Sequence, residues 1–384
     1  MSAKTIYKVV QQKERDVFIC LLACLIILSF SSAIFSQDKT RKHVLILHSY
    51  HKGQQWNDGI TKGIESVFNE NGQNIELFFE YMDTKRFYDD NHLENLAQLL
   101  KNKYRSQTLD VIISSDDHAY NFLLKNSETI FPEVPIVFCG VNRLEESSLN
   151  GRKWFTGVVE STDLEKTIEV AIQLYPKTKN IFVLVDKTVS GMAHRRQIED
   201  ITSHFDKIVV FDLLEDVELS SIKRKLQELP KDSIVLWLNL YSDKNKNSIS
   251  LDDVSILLRN YCDVPAYTLW DNRLGKGIVG GKMISGYAQG KTAARMAQKI
   301  LQGEKIEDIQ IMRKSPNPYK FDYDQMLRFD IEISDLPVGS IVINQPFSFY
   351  SEHKRLVWIV ASSIVGLSAI IIILVHPTKA YFVW

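Results

Sequence analysis

From His43 to about Ser285 the sequence alternates short β-branched runs with longer runs whose apolar residues recur at helical spacing, which restricts the chain to parallel α/β architecture. Strands are expected at His43–His48, Ile75–Tyr81, Asp110–Ser114, Pro135–Cys139, Asn180–Val185, Lys207–Leu213, Ser233–Leu238, Pro265–Leu269 and Ile278–Ile284. Helices fill the intervals. Ile60, Ile64, Val67 and Phe68 give the first helix one apolar face, and Leu93, Leu96, Ala97, Leu100 and Tyr104 do the same for the second. Leu164, Ile168, Ala171, Ile172 and Tyr175 mark another, which Pro176 stops.

The strands and helices fall into two copies of one plan. A strand HVLIL, the polar loop His48–Gly53 and a helix open one half; NIFVLV, the loop Asp186–Gly191 and a helix open the other. Gly140 to Phe155, rich in turn-forming Gly, Asn and Ser, is expected to cross between them. The expected lobes are 41–142 with about 286–303, and 154–284 with about 305–332. Residues 333–355, beyond the Pro-rich Ser315–Pro318, read as irregular juxtamembrane chain. Two doubly wound lobes would place the carboxyl ends of both sheets on one cleft, with hinges near Val141–Trp154 and Ile284–Tyr287.

Two apolar stretches bracket this region. Val17 to Phe35 carries no charge, is long enough to cross a bilayer, and follows Lys4, Lys8, Lys13 and Arg15. Residues 17–36 are therefore expected to form a transmembrane helix or signal anchor, with 1–16 cytoplasmic; Ser31, Ser32 and Ala33 leave signal-peptidase cleavage open. Leu356 to Val375 has no polar face and is expected to be a second transmembrane helix, with 376–384 a short cytoplasmic tail. The main domain is then extracytoplasmic, on the cytoplasmic (inner) membrane. The net charge of −1, with acids and bases interspersed, argues against a nucleic-acid partner. Cys20 and Cys24 lie in the first apolar run, and Cys139 and Cys262 fall in different lobes, so no disulfide framework is expected.

Motifs that carry chemistry are weak. Gly275-Lys276-Gly277-Ile278-Val279-Gly280 matches the dinucleotide spacing, but it leads into a strand rather than a helix, and Arg295 stands where an acid is wanted. Gly290-Lys291-Thr292 ends like a phosphate loop whose first glycine position is Ser285, so it reads as ordinary helix. His48, His51, Asp116, Asp117 and His118 lie at strand ends in the first lobe, where such residues bind a transition metal, cap a helix or hold an organic ligand. Their spacing fits no common metal motif, so capping and organic-ligand roles are preferred. No nucleophile elbow and no metalloprotease motif occurs. Tyr50, Trp56, Tyr241 and Trp270 flank strand ends, where flat rings either pack in the core or offer a ligand stacking area.

HVLILHSYHKGQQWNDGITKGI, VPIVFCGVN, FTGVVESTDLEKTIEVAIQLYP, VLVDKTVSGMAHRRQ, LWDNRLGKGIVGGKMISGYAQGKTAA, SPNPYKFDYDQMLRFDI and LPVGSIVINQPFSFY together resemble the substrate-binding-protein-like sensor domain of the ABC transporter type. This is a type I periplasmic binding fold, found at the N-terminus of many bacterial membrane sensor histidine kinases. The resemblance implies ligand contacts from Ser49, Tyr50, Trp56, Ser115, Asp116, Asp117 and Gly140, Val141, Asn142 in the first lobe. In the second it implies Asp186, Thr188, Gly191, Asn239, Tyr241, Trp270 and Asp271. The expectation is a non-enzymatic receptor, without metal or cofactor, that closes two lobes on a small organic ligand, amino acids among the candidates. It would signal through its membrane helices to a separate kinase or cyclase, because no output domain follows the second apolar run. The alternative is a membrane-tethered solute-binding component of an ABC uptake system, whose partner is a permease.

Overall fold

The computed structural model describes residues 41–70, 74–142, 144–214, 218–245, 247–347, 350 and 353–375. The expected cytoplasmic tails 1–16 and 376–384 and the first apolar run, 17–36, lie outside them. The chain divides into two compact α/β units, one of residues up to Thr162 with Ile284–Asn317, the other of Asp163–Met283 with Pro318 onward.

In the first unit β1 (Lys42–His48), β2 (Ile75–Tyr81), β3 (Val111–Ser115), β4 (Ile136–Val141) and β5 (Phe155–Val159) form a parallel sheet in the order β2-β1-β3-β4-β5. Helices α1 (Gln55–Asn69), α2 (Asp90–Lys103) and α3 (Asp116–Ile130) connect the strands. Because side chains alternate along a strand, β1 feeds two cores. Val44 and Ile46 pack with Ile60, Ile64, Val67 and Phe68 of α1, while Leu45 and Leu47 pack with Leu100 of α2 and Ala119, Phe122 and Leu123 of α3. A sheet covered on both faces needs uninterrupted apolar strands, and HVLIL supplies one.

The second unit holds β6 (Asn180–Val185), β7 (Val210–Leu214), β8 (Ser233–Asn239), β9 (Ala266–Thr268) and β10 (Gly280–Lys282), followed by β11 (Tyr319–Asp322) and β12 (Ile341–Ile343). Their order, β7-β6-β8-β9-β10-β11-β12, repeats the order of the first sheet through β10. β11 then adds antiparallel to β10, and β12 parallel to β11. Helices α4 (Leu164–Leu174), α5 (Val189–Phe205), α6 (Leu219–Gln227) and α7 (Leu251–Tyr261) cover the sheet. Ser250 and Asp253 close a reciprocal capping box at the start of α7. Cys139 and Cys262 are buried and unpaired, one in each unit.

Helix α8 (Gly286–Leu301) returns to the first unit and lies against α1. Two glycine pairs at helical i, i+4 spacing, Gly59 with Gly63 and Gly286 with Gly290, bring the backbones together. A Cβ added at Gly63 would stand 2.2 Å from the Tyr287 carbonyl oxygen, and one at Gly290 2.1 Å from that of Ile60. The GKT triplet thus begins at a packing glycine. Likewise Gly275 and Gly277 occupy left-handed turn conformations that lead into β10, and no helix follows them directly.

Three expectations are corrected. Residues 155–159 form β5 beside β4, so the stretch from Gly140 to Phe155 loops back to its own sheet and Val141–Trp154 is not the link between units. The chain passes between them at 162–163, 283–284 and 317–318 instead. Residues 305–317 therefore belong to the first unit, and Ile341–Ile343, expected to be irregular, adds a strand to the second. The turn-forming composition of 140–154 masked a five-residue strand that returns after it. Finally, α9 (Tyr323–Arg328) precedes α10 (Lys354–Val375), whose 19 residues Lys354–Ile372 have a mean hydropathy of 2.1 and no buried residue. That is long and apolar enough to cross a membrane.

Candidate functional site

In a doubly wound sheet ligands bind outside the carboxyl ends of the strands, because helix N-termini and loops gather there. At that edge of the first unit, Ser49, at the end of β1, is entirely used inside the protein. Its hydroxyl donates to the Ser115 carbonyl at 2.6 Å and accepts from the Ala119 amide at 2.8 Å, and its carbonyl accepts from the Thr84 amide and hydroxyl. The Ser115 hydroxyl lies 2.9 Å from His48 Nδ1, and Thr61 Oγ1 lies 3.0 Å from His48 Nε2. Burial holds His48 down at about 4, so this ring is neutral and structural. Val141 is fully buried in β4. Ser49, Ser115 and Val141 therefore build the edge from inside.

Asp116 is different. It opens α3 in a left-handed conformation, φ 70°, which costs a non-glycine residue about 1–2 kcal/mol. Its side chain is only 4 % exposed. Oδ1 accepts from Trp56 Nε1 at 2.9 Å, while Oδ2 is buried without a donor among the described residues. Burial, opposed by the Trp56 bond and reinforced by Asp117, pushes its carboxyl up to about 7. Gly140 closes in beside it, itself left-handed at φ 68°, and a Cβ there would touch the Asp116 amide and carboxylate at 3.4 Å. The Gly140 amide donates to Gln289 Oε1 at 3.0 Å, and Gln289 Nε2 donates to Ser315 Oγ at 2.8 Å, tying α8 under the edge.

Asp117 accepts from the Asn142 amide at 3.1 Å and from Asn142 Nδ2 at 2.9 Å. Glu160, just after β5, is pushed up to about 8 by burial and by Asp116 and Asp117. The ring of Tyr50 carries Lys85 Nζ 4.3 Å above its centre and meets His118 edge-on, while His118 stacks on Tyr88 at 4.2 Å. His118 Nδ1 is 2.6 Å from Thr84 Oγ1, and His51 Nδ1 is 3.4 Å from Asp83 Oδ1. The histidines expected as candidate metal ligands are thus each engaged separately, and no group of three ligating side chains that could hold a metal ion occurs among the described residues.

At the matching edge of the second unit, Asp186 is consumed by structure. Oδ1 accepts from the Thr188 amide at 3.1 Å and its hydroxyl at 2.5 Å, and Oδ2 accepts from the Tyr241 amide at 2.7 Å. Thr188 in turn caps α5 by accepting from the Gly191 amide. Asn239 is buried at the end of β8, Tyr241 is 44 % exposed, and Trp270 packs edge-on to His194. Asp271 is ion-paired with Lys320 at 2.8 Å. Arg273, 1 % exposed, lies between the rings of Trp237 and Trp270, its guanidinium carbon 4.4 Å from each centroid. It donates to the Trp237 and Leu238 carbonyls and to Thr268 Oγ1, and reaches Tyr241 Oη at 3.3 Å. No carboxylate pairs with it among the described residues.

Glu160, Arg273 and Gln289 are absent from the sequence-derived set. Glu160 follows the unrecognised strand β5, and an isolated Arg or Gln in a helix or turn gives no pattern to find. Across both edges the polar groups hold rings and carboxylates in place.

A family model described as ABC transporter substrate binding protein matches residues 44–335. Among solved structures, the ligand-free, open form of a substrate binding protein with adhesive properties from Clostridium difficile is 16 % identical, covering 79 % of this chain and 100 % of that one, with a TM-score of 0.55. A second, the ABC domain in complex with L-Trp from Streptococcus pneumoniae, is 14 % identical, covering 79 % and 100 %, with a TM-score of 0.49. No curated protein matches significantly. With more than half of its length matched and the repeated 2-1-3-4-5 sheet order of a type I periplasmic binding protein, this ligand-binding chain belongs to the ABC transporter substrate binding protein family.

Proposed function

We propose that this chain is an extracytoplasmic receptor for a small organic ligand, anchored in the bacterial cytoplasmic membrane, which closes its two units on the ligand and passes the change through its membrane helices to a kinase or cyclase. The observation that carries the reading is the pair of strand-end sets. Tyr50, Trp56, Asp116, Asp117, Asn142 and Glu160 stand on one unit, and Asn239, Tyr241, Trp270 and Asp271 on the other. Ligand contact with both sets only in a closed form would favour that form by the difference in binding free energy. Helix α10 supports the anchor, since an apolar helix with no buried residue is stable in lipid and unfavourable in water.

The test is a thermal-shift screen of the detergent-solubilised full chain against metabolites, since a ligand present at a hundred times its Kd stabilises the folded state by about 2.7 kcal/mol. Retention in the membrane pellet after alkaline carbonate extraction, with a cysteine placed at Lys187 labelled from outside the cell, is expected; labelling only after lysis refutes the topology.

The family match also favours a second reading, a tethered solute-binding component that delivers its ligand to a permease. Crosslinking in cells separates the two: a permease captured through this chain supports uptake, a kinase or cyclase supports sensing.

A further inference from the structure

We propose that the anchoring group of the ligand is a protonated amine, received at the strand-end edge of the first unit by Asp116 with Glu160 beside it. The inference deepens the receptor reading and rests on it. Three carboxyl groups, those of Asp116, Asp117 and Glu160, act on one another at this edge. Two of their six oxygens, both of Asp117, are satisfied by Asn142, and Asp116 Oδ1 is satisfied by Trp56. Asp116 Oδ2 is buried without a donor among the described residues, on a side chain 4 % exposed. A buried acceptor left unmade costs about 1–3 kcal/mol, more when it is charged; in the free chain burial holds this carboxyl protonated up to about 7, and a cationic donor seated on it favours the ionised form.

The neighbouring groups narrow the class. Lys85 is the nearby cation, and its ammonium lies over Tyr50 with no ion pair to these carboxyls among the described residues. His118 is held by Thr84 and stacked on Tyr88, and its ring is biased to the neutral form by burial. A metal ion fits poorly, because no three ligating groups converge among the described residues. An anionic ligand group would meet two or three carboxyls at low dielectric. The Tyr50 ring already carries the Lys85 ammonium over its face, so an aromatic surface that accepts an ammonium lies at this edge.

The test is a thermal-shift and calorimetric comparison of the full chain with two sets of probes. One set carries an amine: the L-amino acids, phenethylamine, putrescine and spermidine. The other does not: glucose, myo-inositol, 3-phenylpropionate and succinate. Stabilisation is expected from the amine set alone, with Kd weakened at least tenfold by Asp116→Asn, several-fold by Glu160→Gln, and unchanged by Asp90→Asn on exposed α2. Phenethylamine binding without L-phenylalanine would assign the site to simple amines, and the reverse to amino acids. Binding of a probe that lacks an amine, or an amine affinity that survives both Asp116→Asn and Glu160→Gln in folded protein, overturns the inference and leaves the receptor reading intact. If neither set shifts the melting temperature, both readings fall.

Discussion

Replacing Gly63 by alanine tests the α1–α8 packing that underlies the first unit. The added methyl would meet the Tyr287 carbonyl oxygen at 2.2 Å, more than an ångström inside ordinary contact, and the Lys291 amide nitrogen at 2.7 Å, and both are backbone atoms that cannot swing aside. The helices must part, loosening Ile60 and Ile64 of α1 from Ala293, Ala294 and Ala297 of α8. Overpacking of this kind costs about 1–3 kcal/mol, and the gain in helix propensity from Gly to Ala returns up to about 1 kcal/mol. With backbone on the receiving side the larger figure applies, for a net loss of about 2 kcal/mol. In a unit of this size that lowers Tm by roughly 4–8 °C. Gly59→Ala, one turn earlier on the same helix, is the control. Its methyl would meet the nearest atom at an ordinary 3.4 Å, so only the propensity gain remains and Tm should hold or rise slightly. Calorimetric scans of both variants decide the matter; equal shifts, or a stable Gly63→Ala with an unstable Gly59→Ala, would refute the close approach.

Three further outcomes follow from the strand-end edges. Arg273→Met should cost about 2–4 kcal/mol in urea denaturation, because the Trp237 and Leu238 carbonyls lose their donor and the Trp237 and Trp270 rings their cation, whereas Asp271→Ala, which frees a partly exposed Lys320, should cost less than about 1 kcal/mol. Asp116→Asn should change the pH dependence of stability. The folded chain holds a proton on this carboxyl up to about pH 7 that the unfolded chain releases near 4, so the wild type should match the variant below about pH 4, fall behind it between 4 and 7, and stay behind above. Glu160→Gln should do the same with the window extended to about 8. His48 acts in the opposite direction: held near 4 when folded, it stays neutral where the unfolded ring charges. Stability is therefore complete above about 6.5 and is lost as pH falls toward 4, a loss that His48→Gln should abolish in acid titrations followed by circular dichroism.

Much of the architecture was written in the order of residues. Uninterrupted apolar strands such as Val44–Leu47 belong only in sheets covered on both faces, and the stripes of α1 and α4 face the cores that their spacing implies. The repeat of strand, polar loop and helix at His48 and Asp186 reappears as the repeated sheet order, and Leu356–Val375 lies within α10. Short strands escaped because three to five residues carry too little periodicity to read. β5 follows a run of turn-formers, and β11 and β12 join a sheet begun more than a hundred residues earlier.

For the candidate site, the chain order fixed which residues arrive at strand ends, since that depends only on local periodicity. Only the tertiary structure decided which of them turn inward. Ser49, Ser115, Asp186 and Thr188 spend their hydrogen bonds on the scaffold, while Asp116 keeps one oxygen bare and Glu160 and Arg273 join unannounced. The reason is physical. A side chain's partner is set by whichever donor or acceptor the folded backbone brings within about 3 Å, and residues dozens of positions apart in sequence supply those groups here.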